Sequence, residues 1–270
     1  MQLGELNWPS VPAQTGKVVV VPIGSLEQHG NHLPLLTDTL IGSEIARRAA
    51  DDVGDIALFL PMLWIGASDH HRAMPGTVSL SAETYTHVLK ELLDSLIGGG
   101  FRRILLLNSH AGNITPAQMA ISDKQIEYRR QLPDLYLALA SWFEILTPES
   151  VASLEPSLLQ TRISHACEWE TSAIQVIRPD LVGDDRLSTR RRFESAFWCP
   201  DFRKGSRVSV ARTLEQSSPN GALGYPEKAS PEKGEALLAL AAREIAAFVR
   251  EFANWPAPLG EETLEMPETA

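Results

Sequence analysis

The sequence is poor in cysteine, long apolar runs and positive charge, and each shortage disfavours a class of protein. Its 270 residues include two cysteines, Cys167 and Cys199, too few for a disulfide-stapled secreted scaffold. No apolar stretch approaches the roughly 20 residues that span a bilayer, so no membrane partner is expected. The net charge is −10, a sign that disfavours nucleic-acid binding. The N-terminal residues show no secretory signal pattern, and we expect a cytoplasmic protein.

Apolar residues are plentiful, since hydrophobic residues make up 44% of the chain. That content predicts a single domain over residues 1–270. Short buried runs alternate with helical patterns, which predicts an α/β fold with a mostly parallel β-sheet flanked by helices on both faces. The predicted strands are KVVVVPIG, IALFLPML, RRILLLN and LYLALASW. Ligand sites in such sheets lie at the carboxyl ends of the strands.

The pattern loosens beyond Thr147. Residues 184–226 are rich in Arg, Ser, Gly and Pro and predict long loops, with one strand in RVSVART. A final helix is predicted from Ser230 as N-cap and Pro231 at the first helical position.

Groups that can bind metal are concentrated in four short segments. The stretch SLEQHGNHLPLLTD, which follows the first predicted strand, contains two carboxylates and two imidazoles within twelve residues. Six of the seven histidines lie in these segments, and His87 in a helix is the exception. The candidates are Glu27, His29, His32, Asp38, Asp69, His70, His71, His110, His165, Glu168 and Glu170.

Carboxylates and imidazoles together suit Zn, Mn or Fe and are typical of a hydrolytic metal site. An aspartate can bridge two metals, which can then activate one hydroxide between them. A lone Glu-x-His pair would be weak support, and it is the clustering at loop positions that favours metal binding. Cys167 is predicted to be a packing residue, because nothing nearby marks it as an activated thiol.

At these segments the sequence resembles the creatininase family. The resemblance runs from about residue 18 to residue 182, and its pieces are PIGSLEQHGNHLPLLTD, GASDHHRAMPGTVSL, LLLNSHAGN and HACEWETSAIQVIRPDLV. The resemblance implies a three-layer α/β fold and hydrolysis of C–N bonds in cyclic amides, formamides or peptides. It also implies bound divalent metals, often two per chain, and a homo-oligomer, with hexamers known.

The family pattern assigns roles to individual residues. It implies that Glu27 and His110 bind one metal, that His29 binds the other and that Asp38 bridges them. Ser68 corresponds to a substrate contact, and His165 to a histidine that handles protons. We further expect His71 to line the substrate pocket.

Three departures from the pattern separate this chain from creatininase itself. The family glutamate that ligates the second metal is replaced by Gly112. Glu170 or Glu168 replaces it, or the second metal binds weakly, or the site holds one metal. We expect Glu170 to be both a ligand and a catalytic residue. The alternatives are that it orients a ligand through a hydrogen bond or that it forms a salt bridge. The creatinine-enclosing tryptophan and tyrosine are replaced by Thr161 and Ala111.

The expected function is therefore that of a metal-dependent amidohydrolase. It would cleave a C–N bond in a cyclic amide or related small molecule with a metal-activated hydroxide. The alternatives are a formamide hydrolase or a peptidase of the same family, and a metal-binding relative that has lost catalysis.

Overall fold

The computed structural model describes residues 1–154, 163–189, 195–199 and 206–257. Within them a four-stranded parallel sheet has the order β2-β1-β3-β4. Its strands are β1 (Val18–Ile23), β2 (Ala57–Phe59), β3 (Arg103–Asn108) and β4 (Tyr136–Ser141). The register of the central pair runs from Val18 opposite Arg103 to Ile23 opposite Asn108, so both strands end at the same edge. All four predicted strands are confirmed.

Six α-helices connect and cover these strands in the described residues. They are α1 (Thr37–Val53), α2 (Ala82–Gly98), α3 (Ile114–Tyr128), α4 (Pro148–Ala152), α5 (Glu168–Ile177) and α6 (Pro231–Phe252). The predicted cap is present, since Ser230 accepts from the Lys233 N–H, and Ser81 caps α2 in the same way by accepting from the Thr84 N–H. Such caps satisfy backbone donors that have no partner inside the helix.

The sheet is buried on both faces, because alternate residues of β1 enter different cores. Val18 and Val20 pack with α1, α5 and α6, whereas Val19 and Val21 pack with α2 and α3. This explains the unbroken valine run, since a strand covered on both faces has no polar side. The α/β fold with helices on both faces is therefore as predicted.

The sequence interpretation was wrong in one loop and missed two helices, α4 and α5. Residues 207–213, predicted as a strand, form no strand in the structure. Helix α5 was not predicted, although it carries Glu168 and Glu170. No helix of the described residues is long and apolar enough to cross a membrane.

Candidate metal centre

Glu27, Asp38 and His110 form a compact buried group at the carboxyl ends of β1 and β3. Glu27 lies in the loop after β1, Asp38 in the first turn of α1, and His110 two residues after β3. His110 Nδ1 is 3.0 Å from Asp38 Oδ2, and its Nε2 is 3.3 Å from Glu27 Oε2. One ligand atom from each residue lies within 4.8 Å of the others, a spacing that suits a shared ion.

His29 and Glu170 extend the group on the far side of Asp38. His29 Nε2 is 3.2 Å from Asp38 Oδ1 and 3.8 Å from Glu170 Oε1. The two oxygens of Asp38 thus face different histidines. This is the arrangement that a bridging carboxylate requires.

A backbone carbonyl lies beside one ring nitrogen of each histidine in these groups. His29 Nδ1 is 3.1 Å from the Glu27 oxygen, and His110 Nε2 is 3.2 Å from the Ala67 oxygen. A ring N–H that donates to a carbonyl leaves the opposite nitrogen free to ligate, and metal-binding histidines almost always have such a partner. The free nitrogens are His29 Nε2 and His110 Nδ1, and both face Asp38.

Several buried polar atoms of the site have no hydrogen-bond partner among the described residues, which suits the binding of a cation. Among the described residues, neither carboxylate oxygen of Glu27 has a hydrogen-bond partner, and neither does His29 Nε2. Glu27 and His29 are each 1% exposed. An ionised carboxylate so buried is costly unless a cation or hydrogen bonds compensate it. The carboxylate and imidazole donor set is one that Zn, Mn and Fe accept.

The electrostatics of the site also favour a cation. Burial opposes ionisation of Glu27, but the imidazoles of His110 and His71 outweigh it and hold its pKa well below the usual value. Burial likewise disfavours the imidazolium of His110, yet Glu27 and Asp38 raise its pKa to about 10. The carboxylates thus draw positive charge into the space between them.

His165 and His71 form the other wall of the site. His165 Nδ1 is 3.7 Å from Glu27 Oε1, and His71 Nε2 is 3.2 Å from the same oxygen. Burial and the positive charge on His29 lower the pKa of His165 to about 3, against the opposing effect of Glu27. The His165 ring is therefore neutral at pH 7, and its Nδ1 lies on the Glu27 side.

Ser68 and His70 lie next to the His110 ring. Ser68 is fully buried, and its Oγ is 3.2 Å from His110 Nε2. His70 stacks on His110 with ring centroids 5.7 Å apart. The His70 ring therefore belongs to the wall of the site.

Gly112 borders the site, and the neighbouring atoms leave no room for a side chain there. A Cβ atom at this position would lie 2.3 Å from the Ala67 carbonyl oxygen and 2.4 Å from His110 Nε2. A glutamate cannot be built here without moving both the backbone of residue 67 and the His110 ring. Ala111 beside it is exposed. Thr161, the other substituted wall position, lies outside the described residues.

The structure separates the two glutamates of α5. Glu170 is directed toward His29, whereas Glu168 Oε1 is 2.7 Å from Lys233 Nζ on α6. Glu168 therefore has the salt-bridge role among the alternatives. Cys167 is fully buried, and burial raises the pKa of its thiol well above the usual value, which agrees with a packing role. His32 bonds Thr171 through Nε2 at 2.9 Å and orients the loop.

Two contributors to the site were missed in the sequence. Ser25 donates from its Oγ to Asp38 Oδ2 at 2.7 Å, and the Gln28 amide contacts both His71 and His165. Both residues lie in the stretch SLEQHG, so their position beside Glu27 and His29 was the available signal.

Comparisons with known proteins identify the family of this chain. The family model described as "Creatininase: Creatinine amidohydrolase" matches residues 4–249. Creatinine amidohydrolase from Pseudomonas putida is 30% identical over 262 residues, covering 92% of this chain and 96% of that protein. Mycofactocin precursor peptide peptidase from Mycobacterium tuberculosis (strain ATCC 25618 / H37Rv) is 30% identical over 269 residues, covering 96% and 94%.

A solved structure described as "Creatininase Mn" superposes with a TM-score of 0.76 at 29% identity. It covers 93% of this chain and 98% of that one. The fold, the family match and the relatives all lead to the same assignment. This chain belongs to the creatininase family of hydrolases.

Proposed function

We propose that the chain is a metal-dependent amidohydrolase that cleaves a C–N amide bond in a cyclic amide or related small molecule. The observation that carries the proposal is the buried group of Glu27, Asp38 and His110, continued through Asp38 to His29 and Glu170. Glu27, Asp38 and His110 hold one divalent metal. His29, Asp38 and Glu170 hold a second.

The metals would polarise the substrate carbonyl and lower the pKa of a water molecule to about 7. The remaining chemistry belongs to the side chains. His165 presents Nδ1 on the Glu27 side of the site, where it takes a proton during attack and passes it to the amide nitrogen. That transfer matters because an amide nitrogen leaves poorly until it is protonated.

Residues that are not proposed as metal ligands would contact the substrate. Ser68 and His71 are the proposed substrate contacts, and both side chains lie within the cluster of histidines. Ala111 replaces a family tyrosine and leaves an exposed rim beside His110. This supports a substrate other than creatinine.

A peptidase is the second candidate. It is favoured because a relative named as a peptide peptidase is as similar to this chain as creatinine amidohydrolase, and over as much of its length. The two candidates share the metal centre and differ in the substrate that the rim admits.

One assay tests both candidates. The Mn- and Zn-loaded proteins are given creatinine, other lactams, cyclic ureides, formamides and short peptides, and acid release is followed with Asp38→Asn as the blank. Turnover of a lactam or ureide that the blank lacks supports the first candidate. Turnover of peptides alone moves the assignment to the second. Silence across the panel with metal bound contradicts both and favours a non-catalytic relative.

The resemblance to the family also leads us to propose a homo-oligomer. Light scattering coupled to gel filtration measures the mass directly, and a monomer at micromolar concentration would overturn this part.

A further inference from the structure

The Gln28 side chain is surrounded by parts of the site on every side. It is 6% exposed and lies between the two candidate ligands Glu27 and His29. Its Nε2 is 2.8 Å from His71 Nδ1, 3.0 Å from His165 Nε2 and 3.4 Å from the Gly221 carbonyl oxygen. Its backbone oxygen is 2.8 Å from His165 Nε2.

The orientation of the Gln28 amide is fixed by a neighbour of known polarity. Oε1 accepts a hydrogen bond from the Gly30 N–H at 2.9 Å, and a backbone N–H can only donate. Nε2 must therefore be the atom that faces the histidines. Its two hydrogens are directed to His71 Nδ1 and the Gly221 oxygen.

This assignment determines which ring nitrogens carry protons. His71 Nδ1 accepts from the amide, so the neutral ring carries its proton on Nε2, which faces Glu27 Oε1 at 3.2 Å. His165 Nε2 donates to the Gln28 carbonyl, so Nδ1 is left with a lone pair on the Glu27 side. Every polar atom of Gln28 has a partner in this arrangement, including the backbone N–H, which donates to Thr77 Oγ1 at 3.1 Å.

The loop around Gly221 is shaped to receive the amide. Gly221 has φ +75°, and a Cβ built there would lie 2.0 Å from Gln28 Oε1. The same loop is tied to His165, because the Leu223 N–H donates to the His165 oxygen at 2.7 Å. The loop around Gly221, in a region where the sequence predicted only long loops, thus packs against the Gln28 side chain.

We propose that Gln28 is a positioning residue that sets the tautomers of His71 and His165. Its amide presents a protonated Nε2 of His71 to Glu27, and its carbonyl keeps His165 Nδ1 free to accept a proton. This inference rests on the proposed function for its catalytic consequence. The tautomers themselves do not depend on turnover.

The test compares Gln28→Glu and Gln28→Ala with the wild type, all loaded with zinc and labelled with ¹⁵N-histidine. The wild type should show both rings protonated on Nε2. In Gln28→Glu the carboxylate can only accept, so His71 should change to the Nδ1–H tautomer. The turnover number should fall about 10- to 100-fold in both variants, as for other groups that orient site histidines, with zinc content unchanged.

Two further variants isolate the effect. Gly221→Ala keeps the glutamine but displaces its amide, and should reproduce the loss of turnover. Gln125→Glu removes a comparable amide bond, from Nε2 to the Leu135 oxygen at 3.0 Å, away from the site, and should change neither measurement.

The inference is overturned if the His71 nitrogen shifts in Gln28→Glu match those of the wild type. Unchanged turnover in a folded Gln28→Ala protein overturns it as well. If the wild type hydrolyses nothing on the panel, the proposed function fails, while the nitrogen shifts still decide the role of Gln28.

Discussion

Glu170 Oε1 lies 3.8 Å from His29 Nε2, while Oε2 of the same carboxylate accepts the Cys167 N–H at 3.1 Å. One oxygen caps helix α5 and the other faces the metal centre. The cap holds the side chain in place, so the free oxygen is preorganised. This pairing supports Glu170 as the replacement for the family glutamate that Gly112 lacks.

The matched substitutions Glu170→Gln and Glu168→Gln should separate ligand from structural roles. Glu170→Gln should reduce the metal bound per chain from two toward one, because an amide oxygen ligates more weakly than a carboxylate. Glu168→Gln should leave the metal content unchanged. Metal per chain is measured by inductively coupled plasma mass spectrometry after gel filtration.

Thermal unfolding of the same two variants should show the opposite pattern, with the loss of stability in Glu168→Gln. Glu168→Gln should lower stability by up to about 3 kcal/mol, because Lys233 loses the partner that lies 2.7 Å away. Two metals retained in Glu170→Gln, or metal lost in Glu168→Gln, would reverse the assignment.

Asp38→Asn should have the largest effect on metal content, since Asp38 faces both histidines. We expect loss of both metals and a fall in turnover of more than about 100-fold, beyond what loss of an outer partner produces. The control is Asp51→Asn, an exposed position on the same helix that pairs only with Arg47 in the described residues. Full metal content and turnover in Asp38→Asn would contradict the bridging role.

Gly112→Ala tests whether the site can still accept a side chain where the family has one. The Cβ would meet the Ala67 oxygen and His110, so we expect a loss of about 1–3 kcal/mol in unfolding free energy and weaker metal binding. Gly98→Ala, where a Cβ meets nothing within 4 Å, is the control and should not destabilise the protein. An unaffected Gly112→Ala protein would show that the backbone of residue 67 moves easily.

The grouping of the candidate ligands was easier to predict from the sequence than the residues around them, for physical reasons. Glu27, His29 and Asp38 lie in a twelve-residue segment that follows the buried strand β1. Because His110 follows the neighbouring strand β3, the strand order brings all four residues to the same edge of the sheet. The choice between Glu168 and Glu170 depended on Lys233 and His29, contacts that no local pattern encodes. Helix α5 was missed because it has only ten residues, and its two glutamates point into the protein.

The ion pairs of Arg48 should make stability depend on pH. Arg48 donates to Glu44 on its own helix and forms a two-bond pair with Glu235 on α6. The bonds from Arg47 and Arg48 lower the pKa of Glu44 below its ordinary value, and the bonds from Arg48 do the same for Glu235. A lowered carboxyl pKa contributes stability above the unfolded pKa of about 4.3, which is lost as pH falls through the folded value.

Arg48→Met should therefore lower Tm by about 2 °C at pH 7, and the difference should shrink as the pH falls below about 4. The effect is small because Glu235 is largely exposed and water screens the pair. Scanning calorimetry at a series of pH values measures it. A difference that stays constant on acidification would mean that the arginine stabilises the fold by packing alone.

Removal of metal should lower the stability of the protein and abolish its turnover. Chelation leaves the carboxylates of Glu27, Asp38 and Glu170 buried together without a compensating cation. At free Mn or Zn of 100 times Kd, binding adds about 2.7 kcal/mol, a rise of roughly 5–10 °C in Tm for a chain of this size. The rise should be absent in Asp38→Asn, which separates occupation of this centre from metal binding elsewhere. A metal-free wild type with unchanged Tm and undiminished turnover would exclude the metal centre from both stability and catalysis.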